Sequence, residues 1–82
     1  MPKVILQTNI ASHFTAGTTH LDIEAKNVRQ LIEVLDQTYP GMGERLLTNT
    51  AVAIDGEIFQ EPYLEPVYKE SEVHFLPMIG GG

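Results

Sequence analysis

The chain reads as an α+β domain, a mixed sheet of four to five strands with one main helix packed across one face. Two observations carry that reading. Short segments with alternating apolar and polar residues recur at 3–8, 20–25, 50–54, 57–59 and 72–76, the two-residue period of half-buried strands. Between the second and third of them, Val28, Leu31, Ile32, Leu35 and Tyr39 fall on an i, i+3, i+4, i+7, i+11 stripe, the spacing of one buried helix face.

In the first strand Val4 and Leu6 face one side, and Ile5 lies between polar Lys3 and Gln7 on the other. Residues 9–19 are polar, contain Gly17, and are expected as a turn. Leu21, Ile23 and Ala25 point inward from the second strand, so the first two strands should pair as an antiparallel hairpin. Asn27 suits the helix N-cap, with Gln30 three residues on to complete a capping box, and Pro40-Gly41 stops the helix.

Residues 41–49 are expected as a connector, with Leu46 and Leu47 tucked under the helix end. Val52 and Ile54 face inward from the third strand, and Asp55-Gly56 signals a tight turn into the short segment 57–59. Pro62 and Pro66 exclude a continuous helix or a central strand from 61–70. Val73 and Phe75 face inward from the last strand, whose ladder ends at Pro77. One sheet in the order β-β-α-β-β-β with one helix across it looks like the β-grasp, or ubiquitin-like, fold. The expected organisation is a β-grasp domain over 1–77 and a flexible glycine tail over 78–82.

Composition narrows the function classes. A chain of 82 residues supports one modest core, burying roughly 60% of the surface exposed on unfolding. It has no cysteine, which excludes disulfides, thiolate-held clusters and side-chain thiol chemistry. Any sulfur it handles must sit on the main chain. The net charge of −6 argues against nucleic acid and anionic membranes and suits a basic protein partner. No apolar run approaches the roughly 20 residues that span a bilayer, and Met1-Pro2-Lys3 lacks a signal-peptide layout. A cytoplasmic protein is expected.

The closing residues 76–82, Leu-Pro-Met-Ile-Gly-Gly-Gly, are the most informative stretch. Glycine has no Cβ and reaches nearly all of backbone space, so three in a row present an unhindered α-carboxylate on a slender strand. That is the geometry another enzyme needs to thread a terminus into a narrow site and activate it. A bare carboxylate is a poor acyl donor, and adenylation supplies a leaving group without any acid, base or metal from the carrier itself.

Three stretches, in this order and spacing, resemble the ThiS/MoaD sulfur-carrier family. They are 28–46 (VRQLIEVLDQTYPGMGERL), 51–56 (AVAIDG) and 72–82 (EVHFLPMIGGG). The YPGMGERL piece and the glycine end look closest to the CysO-like branch. The resemblance implies a ubiquitin-activating-enzyme-like adenylyltransferase that uses ATP to join the terminal carboxylate to AMP. A sulfur donor then displaces AMP and leaves a thiocarboxylate for a downstream sulfur-accepting enzyme. Carried onto this chain, Gly82 is the acceptor, and Gly80 and Gly81 form the part that enters partner sites. No cofactor is bound by the chain itself. Two departures stand out. The family's acidic DGDEV turn is replaced by Lys69-Glu70-Ser71-Glu72-Val73, and Gly80 occupies a position where Ala or Ser is common. Both weaken assignment to the molybdopterin or thiamin branch.

Alternation puts Ile5, Ala51, Ala53 and Leu76 on the open side of the sheet, with Met78 and Ile79 following on the tail. These six are the candidate partner-binding residues. His13, His20 and His74 lack ligand-like spacing and are expected as surface histidines. Glu24, Glu33, Asp36 and the Glu57, Glu61, Glu65 series are expected as a solvated acidic face, not paired catalytic carboxylates. The chain is therefore expected to be a carrier and not an enzyme. The alternatives are a ubiquitin-like modifier conjugated through Gly82 and a ubiquitin-like interaction module with an inert end.

Overall fold

The computed structural model describes residues 1–48, 50–59 and 62–77. Its elements are β1 (Lys3–Ile5), α1 (Thr8–Phe14), β2 (His20–Asp22), α2 (Val28–Thr38), α3 (Met42–Leu47), β3 (Thr50–Ile54), β4 (Glu57–Phe59) and β5 (Glu72–Pro77). The sheet has five strands in the order β2-β1-β5-β3-β4. β1 pairs antiparallel with β2 and parallel with β5, and β3 pairs antiparallel with β5 and β4. A parallel pair cannot be closed by a tight turn. The whole chain between β1 and β5 forms the crossover, and α2 fills it.

The inward residues are those the alternation assigns. Val4, Leu6, Ile23, Val52, Ile54, Val73 and Phe75 form one cluster with Val28, Leu31, Ile32 and Leu35 of α2, and Leu21 and Tyr39 pack half-buried against it. The Asn27 side chain accepts from the Gln30 N–H at 2.8 Å, as a helix N-cap should. The return bond of the capping box lands one residue early, because Gln30 Oε1 accepts from the Lys26 N–H at 2.8 Å. At the hairpin of β3 and β4, Asp55 and Gly56 both take positive φ (49° and 87°), which a two-residue type I′ turn requires.

Two expected loops are helices. α1 begins at Thr8, expected as the end of the first strand, runs into the expected turn 9–19, and buries Ile10 and Ala11. The first two strands therefore pair antiparallel as expected, but through a helix and not a turn. Ile10, Ala11 and Phe14 lie on one helical face, yet seven residues are too few for helix formation without tertiary burial. α1 ends where Ala16 and Gly17 take left-handed φ, and the Gly17 N–H bonds back to the Ala11 carbonyl at 2.9 Å.

The connector 41–49 contains α3, which buries Met42 and Leu46 but leaves Leu47 51% exposed, so only Leu46 is tucked away. α3 is capped from α2. Asp36 Oδ1 accepts from the Gly41 N–H at 3.2 Å and the Gly43 N–H at 2.9 Å, occupying donors that a helix start leaves unpaired. Asp36 thus has a structural role within the expected acidic face.

The proline-containing segment 62–70 straps the start of α2. Its Glu65 and Tyr63 carbonyls accept from the Val28 and Arg29 N–H groups at 3.1 and 3.0 Å, and Val67 is buried in the core. The two prolines exclude regular structure there, and the freed carbonyls are spent on the helix N-terminus.

The α2–α3 joint yields a stability prediction. A Cβ on Gly43 would stand 2.9 Å from both Cβ and Oδ1 of Asp36, so either the Asp36 side chain or α3 must shift. Gly43→Ala should cost about 1–3 kcal/mol, and Asp36→Ala about 1–2 kcal/mol through loss of charge-assisted bonds. Because the two act on one contact, the double variant should cost less than their sum in urea unfolding.

Candidate functional site

The candidate site is built on β5, the middle strand of the sheet. It is hydrogen-bonded along both edges, to β1 and to β3, and its register runs from Ile54↔Val73 to Thr50↔Pro77. Its start is pinned by local bonds. The Asp55 carboxylate accepts from the Glu72 N–H at 2.9 Å, the Ser71 hydroxyl oxygen accepts from the Tyr68 N–H at 2.8 Å, and the Lys3 N–H donates to the Ser71 carbonyl. The pairing with β1 ends at His74, and residue 77 is held on its other edge by pairing with Thr50 of β3.

The outer face of the sheet is graded along β5. At its start Lys3 lies between Asp22 and Glu72, a charged row. The next row runs His20, Ile5, His74, Ala53, Ile58. Beside the exit of the chain from the sheet, Leu76 pairs with Ala51. Polarity thus falls toward the position where residues 78–82 attach.

Ile5, Ala51, Ala53 and Leu76 are brought together on this face as alternation requires. Their surfaces differ from the expectation. Ile5 and Leu76 are half-buried and available for contact, whereas Ala51 and Ala53 expose only 8% and 7%. The alanines belong to no inner cluster, so they make the face flat and leave the contact to their neighbours. Ile58, 64% exposed beside Ala53, was missed. The signal was present, since Phe59 facing the core sends Ile58 outward.

Of the histidines, His13 is exposed on α1, edge-on to the Phe14 ring, while His20 and His74 flank Ile5. His74 Nε2 lies 3.5 Å from Glu72 Oε1. Among the described residues no group of three His, Asp or Glu gathers as a metal site, and every buried side-chain nitrogen or oxygen has a partner. Met78, Ile79, Gly80, Gly81 and Gly82, together with Glu61, lie outside the described residues.

A five-stranded mixed sheet with a helix across one face, ending on its middle strand, defines a ubiquitin-like β-grasp protein. Residues 9–82 match the ThiS family, and the chain belongs to that family, the ThiS/MoaD-type sulfur carriers. It is 30% identical over 82 residues to the molybdopterin synthase sulfur carrier subunit of Pyrenophora tritici-repentis (strain Pt-1C-BFP), covering 95% of this chain and 87% of the relative.

Its fold is similar to that of CysO from Mycobacterium tuberculosis, with TM-score 0.85 at 19% identity over 96% of this chain and 100% of the other. A chain of the BexX/CysO complex from Amycolatopsis orientalis gives TM-score 0.85 at 20% identity, covering 100% of both chains. The small archaeal modifier protein 1 of Methanosarcina acetivorans gives TM-score 0.80 at 21% identity, over 99% and 95% of the two chains. No helix of the described residues is long and apolar enough to cross a membrane.

The two sides of β5 should respond differently to truncation. Phe75 is 1% exposed in the core, and Phe75→Ala should cost about 3–5 kcal/mol, a large share of the stability of a chain this size. Leu76→Ala, one residue on but half-buried on the open face, should cost about 1 kcal/mol or less in the same denaturant titration.

Proposed function

We propose that this chain is a sulfur carrier whose reactive group is the α-carboxylate of Gly82. A ubiquitin-activating-enzyme-like adenylyltransferase joins that carboxylate to AMP at the expense of ATP, and pyrophosphate leaves. A sulfur donor attacks the activated carbonyl carbon, AMP departs, and a C-terminal thiocarboxylate remains to pass its sulfur to a biosynthetic enzyme. The observation that carries this reading is the family match, which runs through the glycine end to residue 82. The sulfur-carrier relative from Pyrenophora supports it.

In this reading the carrier is a co-substrate and not a catalyst, and it binds no cofactor. Gly80 and Gly81 form the thin stretch that enters the partner's active site. Glycine at the acceptor position leaves the carbonyl open to sulfur from either side. The apolar rows of the outer face supply the docking surface for the adenylyltransferase. Ile5, Leu76 and the exposed Ile58 provide contact, Ala51 and Ala53 provide a flat floor, and Met78 and Ile79 extend the apolar series toward the partner. In this reading the protein works in the cytoplasm, where ATP and a reduced sulfur donor are available.

Intact mass spectrometry after incubation with the adenylyltransferase, ATP and a sulfide source tests the chemistry. The expected result is the mass gain of one oxygen-for-sulfur exchange, located at Gly82. A high-mass conjugate would make the chain a protein modifier instead, and an unchanged mass would make it an interaction module.

The docking face has its own test. Leu76→Glu should leave the thermal melt nearly unchanged but slow adenylation about tenfold or more, as expected for a charge placed in an apolar contact. Adenylation at the parental rate would remove this face from the reading.

A further inference from the structure

The helical side of the molecule carries a second surface. A cleft of about 500 Å³ lies between α2 and α3, with Ile32 and Leu47 as its apolar lining and Glu33, Asp36 and Glu44 among its walls. Past Ile32, Glu33 and Leu47 it continues into a hollow of about 280 Å³ that reaches Arg29 and Tyr63. Tyr63 is brought there by the strap that caps α2, through the bond from the Arg29 N–H to the Tyr63 carbonyl. Leu47 and Tyr63 are 51% and 41% exposed and open to solvent, while Ile32, 7% exposed, gives the cleft its apolar floor.

The charges here are one-sided. Three carboxylates, those of Glu33, Asp36 and Glu44, stand against one lining cation, Arg29. Asp36 Oδ1 is committed to the Gly41 and Gly43 N–H groups. The Arg29–Glu33 pair is 3.2 Å long with side chains 72% and 58% exposed, and solvent screening makes such a pair easy to exchange. Glu44 has no cationic partner among the described residues.

We propose that this cleft docks a basic amphipathic segment of a partner protein. The segment lays an apolar side chain against Ile32, Leu47 and Tyr63 and sets lysine or arginine against Glu33 and Glu44. The apolar lining supplies the burial, and the acidic wall selects the sign of charge and the orientation. α2 buries its inner face against the sheet, so the hydrophobic core separates this cleft from the outer face that holds Ile5 and Leu76.

The test uses the isotope-labelled full chain and a synthetic amphipathic helical peptide of leucine and lysine, followed by nuclear magnetic resonance. Amide shifts should concentrate at Ile32, Glu33, Glu44, Leu47 and Tyr63. The same peptide with glutamate in place of lysine should produce none. Leu47→Asp should weaken binding about tenfold, a loss of about 1.4 kcal/mol, and the double variant Glu33→Gln/Glu44→Gln should flatten its salt dependence.

These positions are exposed, so the variants keep the parental melt. Shifts centred on Ile5, His74 and Leu76, shifts spread evenly over all acidic residues, or no binding would overturn the proposal. Self-association of the unliganded chain that Leu47→Asp abolishes would assign the cleft to a second copy instead. No adenylyltransferase is present, so the outcome is independent of the sulfur-carrier reading.

Discussion

The structure depends on one pairing constraint: β5 must lie between β1 and β3, parallel to the one and antiparallel to the other. A strand bonded along both edges cannot slip by one residue without sending its inward side chains to solvent. For β5 that would move Val73 and Phe75, both at most 1% exposed, out of the core. The register therefore determines which side chains face outward and where residue 77 stands. Since β1 and β5 run parallel, the elements between them have to form the crossover, and the α2 stripe is the apolar layer that completes it.

The strands and α2 were legible because each is a periodic pattern whose inward positions are buried or, at Leu21 and Tyr39, half-buried against the core. The pairing of β1 with β5 is a topological fact that no local pattern carries; only likeness to the β-grasp fold implies it. α1 and α3 were illegible for a different reason. Each is six or seven residues long, and neither has a side-chain cap contributed by its own N-cap residue. Their stability comes from burying Ile10, Ala11, Met42 and Leu46 in the shared core, α3 packing on the preceding helix α2. The cap of α3 belongs to Asp36 on the preceding helix, and in a sequence such a residue looks like any other solvated carboxylate.

The candidate docking face was legible in position and less so in shape. Alternation identifies which residues face outward, but exposure depends on the neighbours across the strands. Ala51 and Ala53 lie beside the larger Leu76, His74 and Ile58, which leave the alanine methyl groups little accessible area. A face of this kind is flat at its centre and apolar at its edge, which suits a broad partner surface more than a small ligand. The two histidines on either side of Ile5 add polar atoms within that contact, and they converge only because β2 and β5 both pair with β1.

This flat face matters because of what the glycines demand. A partner that fixes Gly80, Gly81 and Gly82 in one extended conformation gives up about 1–2 kcal/mol of backbone freedom per residue, and glycine stands at the costly end of that range. Three glycines offer no side chain to recover the loss. In the proposed reading the compensating contact comes from Met78, Ile79 and the part of the folded body close enough to reach. Five residues beyond Pro77 span at most roughly 18 Å when extended, so the contact must lie beside the end of β5. Leu76 and Ala51 lie beside that end, with Ile5 in the next row, whereas the charged row of Lys3, Asp22 and Glu72 lies at the other end of the strand. In the proposed reading, the polarity gradient along the sheet thus puts its apolar end where the glycine tail needs a contact.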